Sequence, residues 1–228
     1  MNTKNLKLVI DKSYQVFSSY TVLGNMRERA CECCVTDEEV KDLLSKPLRE
    51  IGKEEMYYYM TSAITTFGDE TDYKHFLPRI MELIVVSDVL NDFLTFEKLN
   101  YTNWKFWNDE EVLVIENFFE ALLDSKLGSE SFVDIEDIII VCTRYLGIHK
   151  VLEKLEGYLS DDFLRFIVDF KLDAVYLDFE ENDLITFNKW LTKTLILEKL
   201  ETLYLKTEDK TEANRISIAY TILENERN

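Results

Sequence analysis

The chain has 228 residues, a formal net charge of −18, and only six glycines and two prolines. So few turn-forming residues exclude a β-sandwich or β-barrel, which needs a turn every ~8–12 residues, and they favour long helices joined by short polar turns. The negative charge disfavours direct binding to nucleic acid or to an anionic membrane surface, because both carry charge of the same sign.

The N-terminal segment and the cysteines predict a soluble protein of the cytoplasm. Lys7 and Asp11 interrupt the first apolar patch, so the segment lacks the continuous apolar core of a signal peptide. No stretch approaches the ~20 apolar residues of a membrane span. The chain is long enough to bury a full core, and its cysteines, three of them at Cys31, Cys33 and Cys34, are unlike a disulfide framework. This pattern of cysteines indicates a reducing compartment.

The first two predicted helices follow from apolar spacing and from a start signal. Apolar residues three and four positions apart predict a helix over residues 4–20. Thr36 and Glu39 match a capping box, in which each side chain satisfies a backbone N–H near the start of a helix. The helix that they begin should end before Pro47.

Glycine and proline then define two further predicted helices. One is expected over residues 53–67, closed by Gly68. Proline is favoured in the first helical turn, so Pro78 is expected to open the next helix, which should run to about Val86. In this interpretation residues 65–80 form a turn that leads into the Pro78 helix.

The rest of the chain also reads as helical. Asn108 begins a polar run followed by a broad apolar stripe, which predicts a long helix. The β-branched run at residues 138–141 favours a strand by propensity, but it lies inside a longer helical pattern and is assigned to a helix. Further predicted helix starts lie near Asp134, Ser160 and Asp183, and further stops at Gly128 and Gly147.

These elements predict an all-α protein of about nine to eleven helices, packed as antiparallel pairs. HEAT-like stacking is one arrangement consistent with that count, although no fixed repeat is present. Residues 1–228 are predicted to form a single helical domain. A possible subdivision lies near residues 80–90, because residues 1–80 carry a net charge of −2 and residues 81–228 a net charge of −16.

Three short motifs between residues 31 and 80 are the most distinctive part of the sequence. They are Cys-Glu-Cys-Cys at 31–34, PLRE at 47–50 and GDETDYKHFLPR at 68–79. This combination resembles a family of uncharacterised bacterial cytosolic helical proteins with clustered-cysteine, PLRE and GDxxDxKHFLPR segments. The resemblance implies a bacterial, soluble, helical protein, and it implies no activity, cofactor or catalytic residue.

The clustered cysteines are candidate zinc ligands. Cys31 and Cys34 have the CxxC spacing that lets two thiolates share one zinc ion at ~2.3 Å, and Cys33 lies between them. A structural zinc site needs a fourth ligand, for which His75 is the better of the two histidines. The favoured interpretation is a loop with three reduced thiols and no metal cofactor, since free cysteine behaves as a small apolar side chain, and zinc is the alternative.

Asp69, Asp72 and His75 are spaced by three residues and allow two interpretations. On a helix they would be neighbours and could form a two-carboxylate, one-imidazole metal site. Aspartate is also a frequent helix cap, and capping is the favoured interpretation for this pair of carboxylates.

The acidic segment over residues 161–183 is a candidate docking surface, with Asp178, Glu180, Glu181 and Asp183 as the partner-binding residues. Its carboxylates are expected to project together into solvent. A partner that docks there should be a basic protein, because opposite charges steer association. The alternative is a solubilising surface without a partner.

Two functional hypotheses follow. The first is a protein-binding scaffold or inhibitor that acts by stoichiometric contact, of which an immunity protein against a basic partner is one form. The second is a zinc-dependent enzyme or sensor built on the Cys31/Cys34 and Asp69/Asp72/His75 region. The first is favoured, and catalysis is disfavoured because HExxH, GxxxxGK[ST], GxGxxG and GxSxG are all absent from the sequence.

Overall fold

The computed structural model describes residues 2–22, 24–87, 93–128, 135–172 and 174–227. Those residues form twelve α-helices and three short 3₁₀ turns, with no β-strand among them. The all-α prediction is therefore confirmed, with one helix more than the upper end of the predicted range. HEAT-like stacking stays a prediction.

The structure divides into two compact units, residues 1–122 and residues 123–228. The boundary lies inside the sixth helix, whereas the sequence suggested a possible subdivision near residues 80–90, part of which lies outside the described residues. Each unit contains 13 lysines and arginines against 22 aspartates and glutamates, so each carries a net charge of −9. The acidity is therefore shared equally by the two units. None of the helices in the described ranges combines the length and apolar character needed to cross a membrane.

The first unit contains five helices and most of a sixth. They are α1 (Asn2–Val16), α2 (Asp37–Leu43), α3 (Lys53–Ser62), α4 (Glu70–Ser87), α5 (Phe93–Tyr101) and α6 (Asp109–Leu127). Its 3₁₀ turns are Met26–Arg29, Leu48–Glu50 and Trp104–Phe106. The predicted capping box at the start of α2 is confirmed, with Thr36 accepting from the Glu39 N–H.

Aromatic side chains fill the core of the first unit. The Tyr59 ring on α3 lies between Phe67 and Phe76, with ring centroids 5.2 and 4.6 Å apart. The Phe96 ring of α5 packs against Phe118 of α6, with ring centroids 5.6 Å apart. All five side chains are at most 2% exposed, so α3, α4, α5 and α6 are fixed by buried apolar surface.

The predicted helix boundaries around Gly68 and Pro78 are wrong. Helix α3 ends at Ser62, not at Phe67, and α4 begins at Glu70, so that Pro78 lies inside it. An interior proline lacks the N–H that would bond to the carbonyl four residues earlier, at a cost of ~3 kcal/mol. Leu77 and Ile80 on either side of it are fully buried, and this packing holds the helix together through the proline.

The second unit contains the end of α6 and six further helices. They are α7 (Ile135–Leu146), α8 (Ile148–Glu156), α9 (Asp161–Lys171), α10 (Glu181–Leu191), α11 (Thr194–Lys206) and α12 (Lys210–Arg227). Residues 138–141 lie in α7, which confirms their helical assignment. Ser160 caps α9 by accepting from the Phe163 N–H, and α7 ends before Gly147, as predicted. The start predicted at Asp134 lies outside the described residues.

Short connections bring the successive helices of the second unit together. Helices α7 and α8 contact each other across Gly147, and α11 contacts α12 across residues 207–209. Such short links favour antiparallel neighbours. Phe187 and Trp190 of α10 stack at 5.6 Å and are at most 3% exposed, which places α10 firmly on the core.

Candidate metal centre

The three clustered cysteines lie in a loop that is anchored to the segment before α4. The Cys31 N–H donates to the Thr66 carbonyl at 2.8 Å, and the Gly68 N–H donates to the Arg29 carbonyl at 2.9 Å. Between these two bonds, Ala30 and Phe67 form an isolated antiparallel β-bridge. These contacts fix the backbone at the start of the cysteine loop relative to the start of α4.

The loop also closes on itself. Both the Cys34 N–H and the Val35 N–H donate to the Cys31 carbonyl, at 3.2 and 3.0 Å. The Tyr58 hydroxyl of α3 donates to the Cys34 carbonyl. Val35 is 2% exposed and anchors the end of the loop in the core. This single turn brings the side chains of residues 31, 33 and 34 to one place.

The three sulfur atoms lie close enough to share one ion. The Cys31 and Cys33 Sγ atoms are 3.1 Å apart, the Cys33 and Cys34 Sγ atoms are 3.6 Å apart, and all three lie within 4.8 Å of one another. Cys33 and Cys34 are exposed and Cys31 is half-buried, so an ion can reach them from solvent. Thiolates bind soft metal ions such as zinc, and the donor set fits such an ion.

Hydrogen bonds within the cluster shift the pKa values of Cys31 and Cys34 in opposite directions. Hydrogen bonds from Cys33 and then from Cys34 stabilise the Cys31 thiolate and lower the pKa of Cys31 to about 7. Hydrogen bonding to Cys31 and then to Cys33 raises the pKa of Cys34 to about 11. The cluster therefore gives up its first proton near neutral pH, which favours metal binding there.

The predicted fourth ligand, His75, is held elsewhere. Its Nδ1 lies 2.8 Å from the carbonyl oxygen of Tyr20, and its ring packs edge-on against Phe76 at 4.8 Å. Within the described part of the chain, the group of potential metal ligands contains the three cysteines without His75. The fourth cysteine, Cys142, is fully buried in α7, where burial raises the pKa of its thiol.

The capping interpretation of Asp69 and Asp72 is confirmed. The Asp72 N–H donates to Asp69 Oδ1 at 3.0 Å, and the Asp69 N–H donates to Asp72 Oδ2 at 3.1 Å, which is a reciprocal box at the start of α4. Among the described residues, these carboxylates do not form a ligand group with His75.

Arg29 connects this cap to the cysteine loop, and sequence reasoning missed it. Its guanidinium donates to both oxygens of Asp72, from Nε and Nη2 at 2.9 Å each, while Asp72 is only 1% exposed. The pair is a bidentate, largely buried salt bridge two residues before Cys31. Since the partners are 43 residues apart in sequence, no local pattern indicates it.

A second buried ion pair joins α4 to the start of α6. Lys74 Nζ lies 3.1 Å from Glu111 Oε2 and 4.1 Å from the Trp107 ring centroid, and the Tyr20 hydroxyl donates to Glu111 Oε1 at 2.5 Å. Burial lowers the pKa of Lys74, but the hydrogen bonds to Glu111 and Tyr20 outweigh burial and raise it. The pair fixes α4 against the start of α6.

Some carboxylates of the predicted acidic surface form ion pairs, whereas others form none with the described residues. Asp161 and Asp169 of α9 form ion pairs with Lys206 and Arg215 at 2.5 and 2.6 Å, so part of the charge is neutralised by α11 and α12. The four residues predicted to bind a partner differ from these. Asp178, Glu180 and Glu181 are exposed and Asp183 is half-buried, and the described residues provide no ion pair to any of the four.

No protein-family model, curated protein or solved structure matches this chain.

Proposed function

We propose that the protein binds one thiophilic metal ion, with zinc as the first candidate, through Cys31, Cys33 and Cys34. The observation that supports this is the convergence of three Sγ atoms within 4.8 Å on an anchored, solvent-accessible loop. The proposal includes a cytoplasmic, reducing location, where the thiols stay available to a metal ion.

Three protein ligands leave one position of a tetrahedral ion open. In zinc proteins this arrangement is typical of sites that admit water or a second molecule, whereas closed four-ligand sites are structural. The loop would therefore hold an ion that can exchange with solvent or with another thiol. Membership in the bacterial family with the clustered-cysteine segment remains part of the proposal, and it supplies no further mechanism.

Metal analysis of the reduced, full-length protein tests this. We expect one zinc ion per chain after anaerobic reconstitution, measured by mass spectrometry of the metal and by competition with a chromogenic chelator. Serine at Cys31, Cys33 or Cys34 should each weaken zinc binding at least tenfold.

Two matched variants control for indirect effects. Cys142→Ser removes a thiol far from solvent and should leave zinc binding unchanged, and so should His75→Ala. If His75→Ala weakens zinc as strongly as the cysteine variants, the ligand set inferred from the sequence is correct. A parent protein that retains no zinc would exclude zinc as the ion, and one that retains no thiophilic ion at all would refute the metal-binding proposal.

We further propose that the surface formed by Tyr176, Asp178, Glu180, Glu181 and Ile185 docks a basic partner protein. Tyr176 is 77% exposed and Ile185 is 59% exposed, and both lie beside carboxylates that the described residues leave without ion pairs. An exposed aromatic within a charged rim resembles the anchors of protein interfaces. In this proposal the chain acts by stoichiometric contact, as a scaffold or an inhibitor.

Charge reversal tests the docking proposal. A partner captured from the native host should associate more slowly as ionic strength rises, and the double variant Glu180→Lys, Glu181→Lys should reduce its association rate. The control is Glu198→Lys, Glu201→Lys on α11, which makes the same change in net charge at exposed positions. Equal effects of the two double variants, or an association rate independent of salt, would show that this surface is not the docking site.

A further inference from the structure

The separations of the Cys33 sulfur from the Cys31 and Cys34 sulfurs are shorter than a tetrahedral ion requires. With metal–sulfur bonds of ~2.3 Å, two sulfurs of a tetrahedral ion lie roughly 3.8 Å apart. The Cys31–Cys33 separation is 3.1 Å and the Cys33–Cys34 separation is 3.6 Å. At the same bond length these separations correspond to angles at the ion of roughly 85° and roughly 103°, both below the tetrahedral ~109°.

Narrow angles with three ligands are the geometry of a pyramidal ion. A trivalent arsenic or antimony centre forms three bonds and keeps a lone pair, which occupies the fourth position and pushes the three bonds together. Such a centre needs no fourth protein ligand. Within the described residues, the group offers three sulfur atoms and no histidine or carboxylate, which matches this requirement.

We propose that the loop is a three-thiol site for a trivalent arsenic or antimony oxyacid. The inference rests on the proposed thiophilic function and specifies which ion suits it best. Cys33 is the central ligand, because its sulfur is close to both of the others. Cys33 and Cys34 are exposed, so the oxyacid can reach the loop from solvent.

Binding is a substitution without a change of oxidation state. Arsenous acid carries three hydroxyl groups on arsenic, and each thiol replaces one of them. Three arsenic–oxygen bonds break and three arsenic–sulfur bonds form. Each thiol proton leaves with a hydroxide as water, so that three water molecules are released and no oxidant or reductant is consumed.

The test uses arsenite, phenylarsine oxide and zinc as probes on the reduced, full-length protein under anaerobic conditions. We expect one arsenic atom per chain, a mass increase equal to arsenic less three hydrogens, and the loss of three thiols that react with Ellman's reagent. Phenylarsine oxide can bind only two thiols and should leave one of the three reactive. An equimolar amount of zinc should not displace arsenite.

Cys33→Ser should weaken arsenite binding at least tenfold, because two thiols remain and the pyramidal centre loses one bond. Cys142→Ser should leave it unchanged. Arsenite that consumes only two thiols, or that equimolar zinc displaces, would overturn this inference while leaving the thiophilic function intact. A protein that retains neither arsenite nor zinc would refute both.

Discussion

The salt bridge between Arg29 and Asp72 provides the sharpest test of how the cysteine loop is held. Asp72 is 1% exposed, accepts two hydrogen bonds from the Arg29 guanidinium, and accepts a third from the Asp69 N–H. Asp72→Ala removes all three acceptor contacts at once. Asp69→Ala is the matched control, because it leaves the bidentate pair between Arg29 and Asp72 in place. It removes the reciprocal cap and a 3.3 Å contact between Arg29 Nε and Asp69 Oδ2, whose side chain is 51% exposed.

The expected losses differ in size. A helix cap contributes about 0.5–2 kcal/mol, so Asp69→Ala should reduce the free energy of unfolding by roughly 1 kcal/mol. Removing one partner of a buried ion pair costs ~3–5 kcal/mol. The Arg29 side chain is 27% exposed and water can partly solvate it, so the lower end applies. Asp72→Ala should therefore reduce the free energy of unfolding by about 3 kcal/mol in total.

Urea unfolding followed by tryptophan fluorescence measures these losses. Trp104 and Trp107 belong to the first unit and Trp190 to the second, so both variants are made in a Trp190→Phe background that reports the first unit alone. Adding Arg29→Met to Asp72→Ala should restore part of the loss, because the guanidinium that has lost its bidentate carboxylate is then removed. Equal losses for the two aspartate variants would refute the salt bridge as the element that holds the loop.

Three further predictions concern the same unit. Lys74→Ala leaves the Glu111 carboxylate buried at 2% exposure, and urea unfolding should show a loss of ~3–5 kcal/mol. Gly68→Ala should cost about 1–3 kcal/mol in the same assay, because φ is +74° and the new Cβ would lie 2.8 Å from an oxygen of Asp72. In the reduced, metal-free protein, the alkylation rate of Cys31 should rise through about pH 7, because deprotonation increases with pH, and mass spectrometry should find it modified first. Alkylation that begins only above pH 9 would contradict the lowered pKa of Cys31.

Local signals allowed most of the helices to be predicted. The capping box at Thr36, the caps at Asn108 and Ser160 and the break at Gly147 all depend on residues within four positions of one another. Such interactions can be recognised in one sequence because the spacing of the partners is fixed by the helix itself.

The start of α4 shows where local reasoning failed. Two start signals compete in this segment, the aspartate box at Asp69 and the proline at position 78, and the aspartate box begins the helix although proline favours a first turn. The buried side chains that keep Pro78 inside the helix come from packing, which the sequence pattern does not reveal.

The candidate site was predictable only in part. The three cysteines lie within four residues, so their proximity follows from the sequence. His75 lies 41 residues after Cys34, so whether it can reach the cluster depends on the fold, which places its Nδ1 against the Tyr20 carbonyl instead. Arg29, which ties the loop to α4, depends on a contact of similar range.

The hydrogen bonds inside the cysteine loop have a consequence for how quickly an ion can be exchanged. A flexible loop that becomes ordered around an ion loses conformational entropy worth ~1–2 kcal/mol for each backbone residue. Here the N–H groups of Cys31, Cys34 and Val35 are already bonded, so this entropy is lost when the chain folds. Loading and unloading can then proceed on a constant backbone, and transfer to a competing thiol is limited by ligand substitution rather than by refolding of the loop.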